Sequence, residues 1–256
     1  MHPIAKNVIL NLVKQHSSQK SKIGRPSACN EIILDSISLV LKSGMAWRHL
    51  AETKSKYDFR TVHRKFIQWT SWGVFKNAYK SLLKLYLVKN SSKIKYCCID
   101  SSYVKNVIGR NCIGRNPSDR GRKATKLSAI VTDKGIPISL VFFPGNTADV
   151  NTVSSSIDYA RELLSGFDHK RLPLYADKGY DSRAVRNTVN KAGFLERVAK
   201  RRVHTHRVLN YKRTVVENFF GWLDKARRLI LRYDADIESH SSFTHLAVCS
   251  IIARKL

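Results

Sequence analysis

Two aspartates each follow a short apolar run, and a glutamate lies far downstream in another apolar stretch. Asp100 follows residues 96–99, Asp177 follows residues 172–176, and Glu217 lies within RTVVENFFGWL at 213–223. A carboxylate at the end of a buried strand is held rigidly and faces a crevice, although either aspartate alone can equally be an ordinary turn or cap residue. Three converging carboxylates repel one another unless cations neutralise them. Oxygen ligands favour Mg²⁺ or Mn²⁺ over Zn²⁺, and two such ions can cleave or join a phosphodiester.

Glu217 shares one face of a predicted helix with Arg213 and Gly221, because these residues are four positions apart. Glycine costs about 1 kcal/mol relative to alanine inside a helix. That cost is understandable if another group must approach the backbone beside Glu217. The alternative is an exposed Arg–Glu pair that stabilises the helix by a few tenths of a kcal/mol.

The charge of the chain indicates an anionic partner. Its 256 residues include 46 Lys and Arg but only 19 Asp and Glu, for a formal net charge of +27. Such a charge destabilises the fold through self-repulsion and favours nucleic acid, which binds through phosphate contacts and counterion release. A basic surface that serves only solubility is the alternative. A cationic segment directly follows Asp100, and we expect it to hold backbone phosphates, unless it is only a solvated loop.

Composition excludes several other classes of protein. Hydrophobic residues make up 43% of the chain, which is too many for a disordered basic tail. No apolar run approaches the roughly 20 residues of a membrane-spanning helix, and no secretory signal is recognisable. The five cysteines form no C-x-x-C pair, so we expect free thiols in a reducing compartment. The pair His204 and His206 lacks a further nearby ligand, which argues against a metal site there.

Hydrophobic patterns predict the elements that position these residues. Helical periodicity occurs over 30–43, 60–70, 74–88, 152–164, 182–191, 213–231 and 242–253, with Gly44 ending the first helix. Short apolar runs predict strands over 96–100, 127–132, 136–143 and 172–176, the middle two joined by an Asp133–Gly135 turn. This order indicates an α/β fold with a mixed sheet, preceded by a small all-helical part. We divide the chain into a basic leader over 1–23, a helical domain over 24–92 and a sheet-containing domain over 93–256.

Several motifs together resemble the DDE transposases of the insertion-sequence-five group. They run in order through most of the chain: GRP at 24–26, SGMAWRHL at 43–50, TVHRKFIQW at 61–69, IDSS at 99–102, GRNPSDRGRKATK at 114–126, PGNTAD at 144–149, ADKGYD at 176–181 and VVENFFGWL at 215–223. In the wider family, Tyr, Arg, Glu and Lys recur with the spacing Y-x2-R-x3-E-x6-K. Arg213 and Glu217 fit this spacing, whereas the Tyr and Lys positions hold Asn210 and Asp224, with Tyr211 and Lys225 one residue later.

The resemblance implies an RNase H-like catalytic domain with Asp100, Asp177 and Glu217 as catalytic and metal-binding residues and two Mg²⁺ or Mn²⁺ ions as cofactors. It implies cleavage of double-stranded DNA at transposon ends and transfer of the freed 3′-OH into target DNA. The helical domain is expected to bind the ends, and a homo-oligomer is expected to form the synaptic complex. In a prokaryotic host the protein would be cytoplasmic and associated with the nucleoid.

The cationic residues expected to contact DNA lie in four regions: the predicted second helix, the segment after Asp100, the segment before Glu217, and the glutamate-bearing helix itself. They are Arg60, Arg64, Lys65, Arg115, Arg120, Arg122, Lys123, Lys126, Arg201, Arg202, Arg213 and Lys225. Two other functions stay open from the residues. One is a non-catalytic DNA-binding protein derived from a transposase, and the other is a hydrolytic nuclease without strand transfer.

Overall fold

Helices and strands follow the predicted order in a computed structural model, which describes residues 1–17, 28–53, 55–167, 171–201 and 207–256, with 207–211 described only as backbone. The helices are α1 (Pro3–Ser17), α2 (Asn30–Ser43), α3 (Phe59–Ser71), α4 (Val74–Asn90), α5 (Asp149–Leu163), α6 (Arg183–Lys191), α7 (Arg207–Asp224) and α8 (Ile237–Ala253). The strands are β1 (Cys97–Asn106), β2 (Gly114–Arg115), β3 (Lys123–Thr132), β4 (Pro137–Pro144), β5 (Pro173–Ala176), β6 (Leu195–Val198) and β7 (Leu231–Arg232).

The described strands form one mixed sheet. β1 and β4 both run antiparallel to β3, whereas β5 runs parallel to β1 and β6 runs parallel to β5. Gly135 has φ +73° in the turn between β3 and β4, a backbone conformation that glycine adopts without steric cost. The predicted hairpin is therefore confirmed. The mixed α/β fold with an RNase H-like sheet is confirmed as well.

Helices cover both faces of this sheet. Side chains alternate between the faces along β3. Ser128 receives a hydrogen bond of 2.9 Å from Ser156 on α5, whereas its neighbour Leu127 lines a cavity of about 390 Å³ together with Phe220 of α7. Hence α5 and α7 lie on opposite faces, and α7 covers the face to which Asp100 belongs.

The N-terminal helices confirm the periodicity prediction closely. Gly44 ends α2 with φ +73°, and its backbone N–H donates to the carbonyl of Val40. The segment 1–23, described above as a basic leader, contains α1, whose apolar face packs against α4. Helix α8, from the far end of the chain, also packs against α4. The apolar core is thus continuous across residue 92, and the division into domains at that position stays a prediction.

The helix predicted over 213–231 was too long at its C-terminal end. Helix α7 stops at Asp224, and β7 follows after one short 3-10 turn. Arg232 explains the change, because its fully buried guanidinium donates to the carbonyls of Asn111 and Ala235. The long-range hydrogen bond to Asn111, together with pairing of β7 to β1, outweighs the local helical pattern. Within the described ranges, none of the helices has both the length and the apolar character needed to cross a membrane.

A buried ion pair fastens the turn after β7. The Nη2 atom of Arg228 lies 2.8 Å from Oδ1 of Asp234, and the two side chains are only 5% and 4% exposed. Burial by itself would raise the pKa of Asp234, but the neighbouring His240 and Arg228 lower it below its usual value. Stability from this group is therefore present above the unfolded pKa of about 3.9 and is lost as the pH falls through the lower folded value.

We expect Asp234→Asn to lower the free energy of unfolding by about 3–5 kcal/mol, because Arg228 then stays buried without a counter-charge. Thermal unfolding at pH 7 measures this loss. Asp236→Asn, at an exposed position two residues later, is the matched control and should change stability by less than about 1 kcal/mol. Equal melting temperatures for the two variants would contradict the conclusion that the buried Arg228–Asp234 pair stabilises the fold.

Candidate active site

Asp100 and Asp177 lie side by side on adjacent parallel strands. Cys98 of β1 pairs with Tyr175 of β5, so two residues further along the same register place Asp100 beside Asp177. The two side chains are 23% and 33% exposed. Both carboxylates are therefore partly buried at one end of the two strands.

Backbone amides fix one oxygen of each carboxylate. Oδ1 of Asp100 accepts a hydrogen bond of 2.8 Å from the backbone N–H of Ser101. Oδ1 of Asp177 accepts one of 2.7 Å from the N–H of Gly179 and so caps the 3-10 turn Lys178–Tyr180. The interpretation of Asp177 as a cap is thus correct, and it leaves the Oδ2 atom for another role.

One guanidinium nitrogen lies near the Oδ2 atoms of both aspartates. Nη2 of Arg213 lies 3.2 Å from Oδ2 of Asp100 and 3.9 Å from Oδ2 of Asp177. Burial raises the pKa of Asp100 and nearby Asp177 adds to the rise, whereas the Ser101 amide and Arg213 oppose it. A single positive charge therefore stands between two carboxylates that would otherwise repel each other.

Glu217 lies outside this pair. It is exposed on α7, one helical turn after Arg213, on a helix that packs against both β1 and β5. In the part of the chain that the structure describes, no three His, Cys, Asp or Glu side chains are grouped so that they could hold a metal ion. The expected convergence of three carboxylates is thus not observed. In the metal-free site, Arg213 offsets only one of the two aspartate charges, so a third carboxylate there would add repulsion.

The space around Gly221 also differs from the expectation. Nothing lies within 4 Å of the position that a Cβ atom would occupy there. The close approach beside Glu217, inferred from the cost of a helical glycine, is not made by any described part of the chain.

A short hairpin presents four of the predicted DNA-contacting cations. The side-chain oxygen of Asn116 accepts a hydrogen bond from the backbone N–H of Ser118, and its backbone carbonyl accepts one from the N–H of Gly121. These bonds close a tight turn between β2 and β3. We call residues 114–123 the basic hairpin. The cations exposed on it are Arg115, Arg120, Arg122 and Lys123.

The prediction for Lys126 is corrected by the structure. Its side chain is only 2% exposed, and its Nζ atom lies 2.8 Å from Oδ1 of Asp149 at the start of α5. Residue 126 points to the α5 face of β3, so its charge is neutralised inside the protein. It is not available to a DNA phosphate at the surface.

The other predicted cations are spread over the surface. Arg60 and Arg64 are exposed on α3, where Lys65 is half-buried and donates to Gln68. Arg201 and Lys225 are exposed too, and Nε of Arg201 donates to the carbonyl of Lys178 beside Asp177. Predictions on residues 24–26, on Arg202 and on His204 and His206 fall outside the described residues, as does the side chain of Tyr211.

Sequence reasoning missed three neighbours of the aspartates. The hydroxyls of Ser101 and Tyr180 are 3.0 Å apart, and a Cβ atom at Gly179 would lie 3.7 Å from Oδ2 of Asp149. All three residues belong to quoted motifs: IDSS, ADKGYD and PGNTAD. For Ser101 and Tyr180, the available signal was a polar residue one or three positions after a catalytic candidate, whereas Asp149 has no such spacing.

Known proteins share sequence similarity with this chain. The sequence profile described as "Transposase DDE domain" matches residues 91–251. A relative from Burkholderia cepacia, assigned as a transposase for insertion sequence element IS402, is 33% identical over 146 residues, covering 56% of this chain and 69% of the relative. One from Brucella ovis, assigned to insertion sequence element IS6501, is 30% identical over 136 residues, covering 50% of this chain and 96% of the relative.

Similar solved structures are more remote. The catalytic domain of Mos1 mariner transposase is 15% identical, with a TM-score of 0.32, and the match covers 69% of this chain and 91% of that chain. The Mos1 paired-end complex with the left transposon end is 12% identical, with a TM-score of 0.31, covering 95% and 84%. The Mos1 catalytic domain with raltegravir and Mn is 13% identical, with a TM-score of 0.31, covering 67% and 92%.

Proposed function

The chain belongs to the Transposase DDE domain family, and from that membership we propose that Asp100, Asp177 and Glu217 are its catalytic carboxylates. As a transposase of the DDE type, it cleaves DNA and transfers a strand by phosphoryl transfer. The finer placement within the insertion-sequence-five group, which the motifs suggest, is part of the proposal. So is the substrate, double-stranded DNA at transposon ends and at the target.

One observation carries the assignment of the first two residues. Their Oδ2 atoms, from strands separated by more than 70 residues of chain, both lie within 4 Å of one cationic nitrogen. Two oxygens that share a cation in this way match the hard ligands preferred by Mg²⁺ and Mn²⁺. Glu217 would complete the site from the next helical turn, and we propose two ions in the complete site.

The residues of the chain then have separate tasks. When bound, divalent cations supply Lewis-acid stabilisation of the charge that develops on the phosphodiester. Backbone bonds from Ser101 and Gly179 keep the two aspartates oriented before any ligand arrives, which lowers the entropic cost of assembling the site. If divalent cations take the place of the Arg213 guanidinium between the carboxylates, Arg213 would be free to bind a DNA phosphate, one helical turn away from Glu217.

DNA carrying transposon ends, incubated with the protein and Mg²⁺ or Mn²⁺, tests the function. Joined products support cleavage with strand transfer. Nicked products without joining would favour a hydrolytic nuclease, and binding without cleavage would favour a non-catalytic DNA-binding protein. Crosslinking in the presence of paired ends tests the proposed homo-oligomer of the synaptic complex.

The basic hairpin is proposed to follow the DNA backbone near the carboxylates. Replacing both Arg122 and Lys123 with alanine should reduce the slope of log affinity against log salt by about 2, one unit for each phosphate that the protein no longer neutralises. Fluorescence anisotropy with end DNA at several salt concentrations measures this slope.

A control for general charge is available on α4. Lys84 and Lys89 are exposed there, and their replacement with alanine removes the same two charges. We expect that control to change the slope by less than half as much. If both double variants changed it equally, the hairpin would have no special role in DNA binding.

A further inference from the structure

The backbone pairing between β1 and β5 stops short of the two aspartates. The last register pair joins Cys98 to Tyr175, two residues before Asp100 and Asp177. On the other edge of β5, pairing with β6 extends one residue further, to Ala176 and Val198. The distance between the carboxylates therefore depends on side-chain contacts beyond the end of this ladder.

A pair of hydroxyls makes such a contact directly beyond the aspartates. Oγ of Ser101 lies 3.0 Å from Oη of Tyr180, and Tyr180 is almost completely buried. Ser101 follows Asp100 and also donates the backbone N–H that holds its carboxylate. Tyr180 ends the 3-10 turn that Asp177 caps. The hydroxyl pair thus connects the segment of one aspartate to the segment of the other.

The turn that carries Tyr180 lies close to Asp149. A Cβ atom at Gly179 would lie 2.8 Å from Oδ1 of Asp177 and 3.7 Å from Oδ2 of Asp149. Asp149 is itself fixed by the buried Lys126. Because Asp177 caps this short turn, we expect a change at the hydroxyl contact of Tyr180 to shift the Asp177 carboxylate as well.

We propose that Tyr180 is a positioning residue whose hydroxyl, through Ser101, sets the separation of the Asp100 and Asp177 carboxylates and thereby the affinity of the site for divalent metal. The inference rests on the proposed function of those aspartates. It assigns to Tyr180 no contact with DNA or with the reacting atoms. Losses of 10–100-fold in metal affinity are typical when a group that orients a ligand is removed.

Tyr180→Phe tests the inference because it removes a single oxygen atom. We expect Mn²⁺, titrated calorimetrically into the metal-free protein without DNA, to bind about 10-fold more weakly than to the unaltered protein. Ser101→Ala should give a similar loss, and the double variant should lose no more than either single variant, because both remove the same hydrogen bond.

Tyr79→Phe is the matched control. Tyr79 is equally buried, and its hydroxyl donates to the carbonyl of Pro137, away from the carboxylates. Both Tyr→Phe variants should lower the melting temperature by about 2–4 °C, because each removes one buried hydrogen bond, but only Tyr180→Phe should weaken Mn²⁺ binding. Unchanged Mn²⁺ affinity in both Tyr180→Phe and Ser101→Ala would overturn the inference.

Asp100→Asn separates this failure from a failure of the proposed function. Mn²⁺ binding that disappears in Asp100→Asn but is unaffected in Tyr180→Phe overturns the positioning role alone. Mn²⁺ binding that survives in Asp100→Asn overturns the assignment of the carboxylates, and the role of Tyr180 falls with it.

Discussion

Asparagine in place of Asp100 or Asp177 is expected to reduce DNA cleavage at least about 1,000-fold, equivalent to roughly 4 kcal/mol of transition-state stabilisation. Each substitution removes one charge while keeping an oxygen that can accept the amide bond from Ser101 or Gly179. The fold and the turn after β5 should therefore persist. Initial rates of nicking with end DNA and Mg²⁺, at saturating protein, measure the effect.

A matched substitution controls for loss of an aspartate charge. Asp158 is exposed on α5, and Asp158→Asn should cleave within about 2-fold of the unaltered protein, since it leaves the carboxylate pair intact. Circular dichroism should show the same helix content in all three variants. Cleavage by Asp177→Asn at more than a tenth of the normal rate would contradict the assignment.

The adjacency of Asp100 and Asp177 was accessible from the sequence. Each aspartate follows a run of apolar residues, which predicts a buried strand, and the family resemblance implies that the two strand ends share one site. The helices α2, α3 and α4 were accessible for a similar reason, because their apolar residues recur at the helical period and Gly44 provides a local stop signal. The apolar runs and the helical periods themselves depend on nearby residues only.

The content of the site was less accessible, because it depends on contacts between distant residues. Nothing in the spacing of Arg213 and Glu217 reveals which of them turns toward Asp100. Lys126 belongs to a strongly basic segment, yet the alternation along β3 directs it inward to Asp149. The end of α7 was missed likewise, since the buried hydrogen bonds of Arg232 become visible only when β7 is paired. Local pattern thus located the carboxylates but not their partners.

The relation of Arg213 to Glu217 has a direct consequence for the metal-free protein. The two residues lie four positions apart, about 6 Å along the axis of α7, and Arg213 is the one that contacts the aspartates. The guanidinium offsets one of the two aspartate charges, so the group keeps a negative charge that repels a third carboxylate. Glu217 therefore contributes little to the stability of the protein before metal and DNA are present.

Glu217→Gln should for this reason separate activity from stability. We expect cleavage to fall at least about 1,000-fold, as for the aspartates, because Glu217 is the proposed third carboxylate ligand of the divalent cations. The melting temperature of the metal-free protein should stay within about 1 °C, because Glu217 is exposed. Nicking assays and thermal unfolding with and without Mn²⁺ measure the two quantities.

The decisive contrast lies in the response of each variant to Mn²⁺. Unaltered protein should gain thermal stability from Mn²⁺, whereas Glu217→Gln should gain less, since binding to the folded state alone stabilises it in proportion to affinity. Glu52 is an exposed glutamate at the end of the 3-10 helix Trp47–Glu52. The control Glu52→Gln should behave as the unaltered protein in cleavage and in its response to Mn²⁺. Normal cleavage by Glu217→Gln would mean that catalysis does not need Glu217. Asp100, Asp177 and Arg213 would then be the charged groups that are sufficient for cleavage. The proposal that Glu217 is the third catalytic carboxylate would then be wrong.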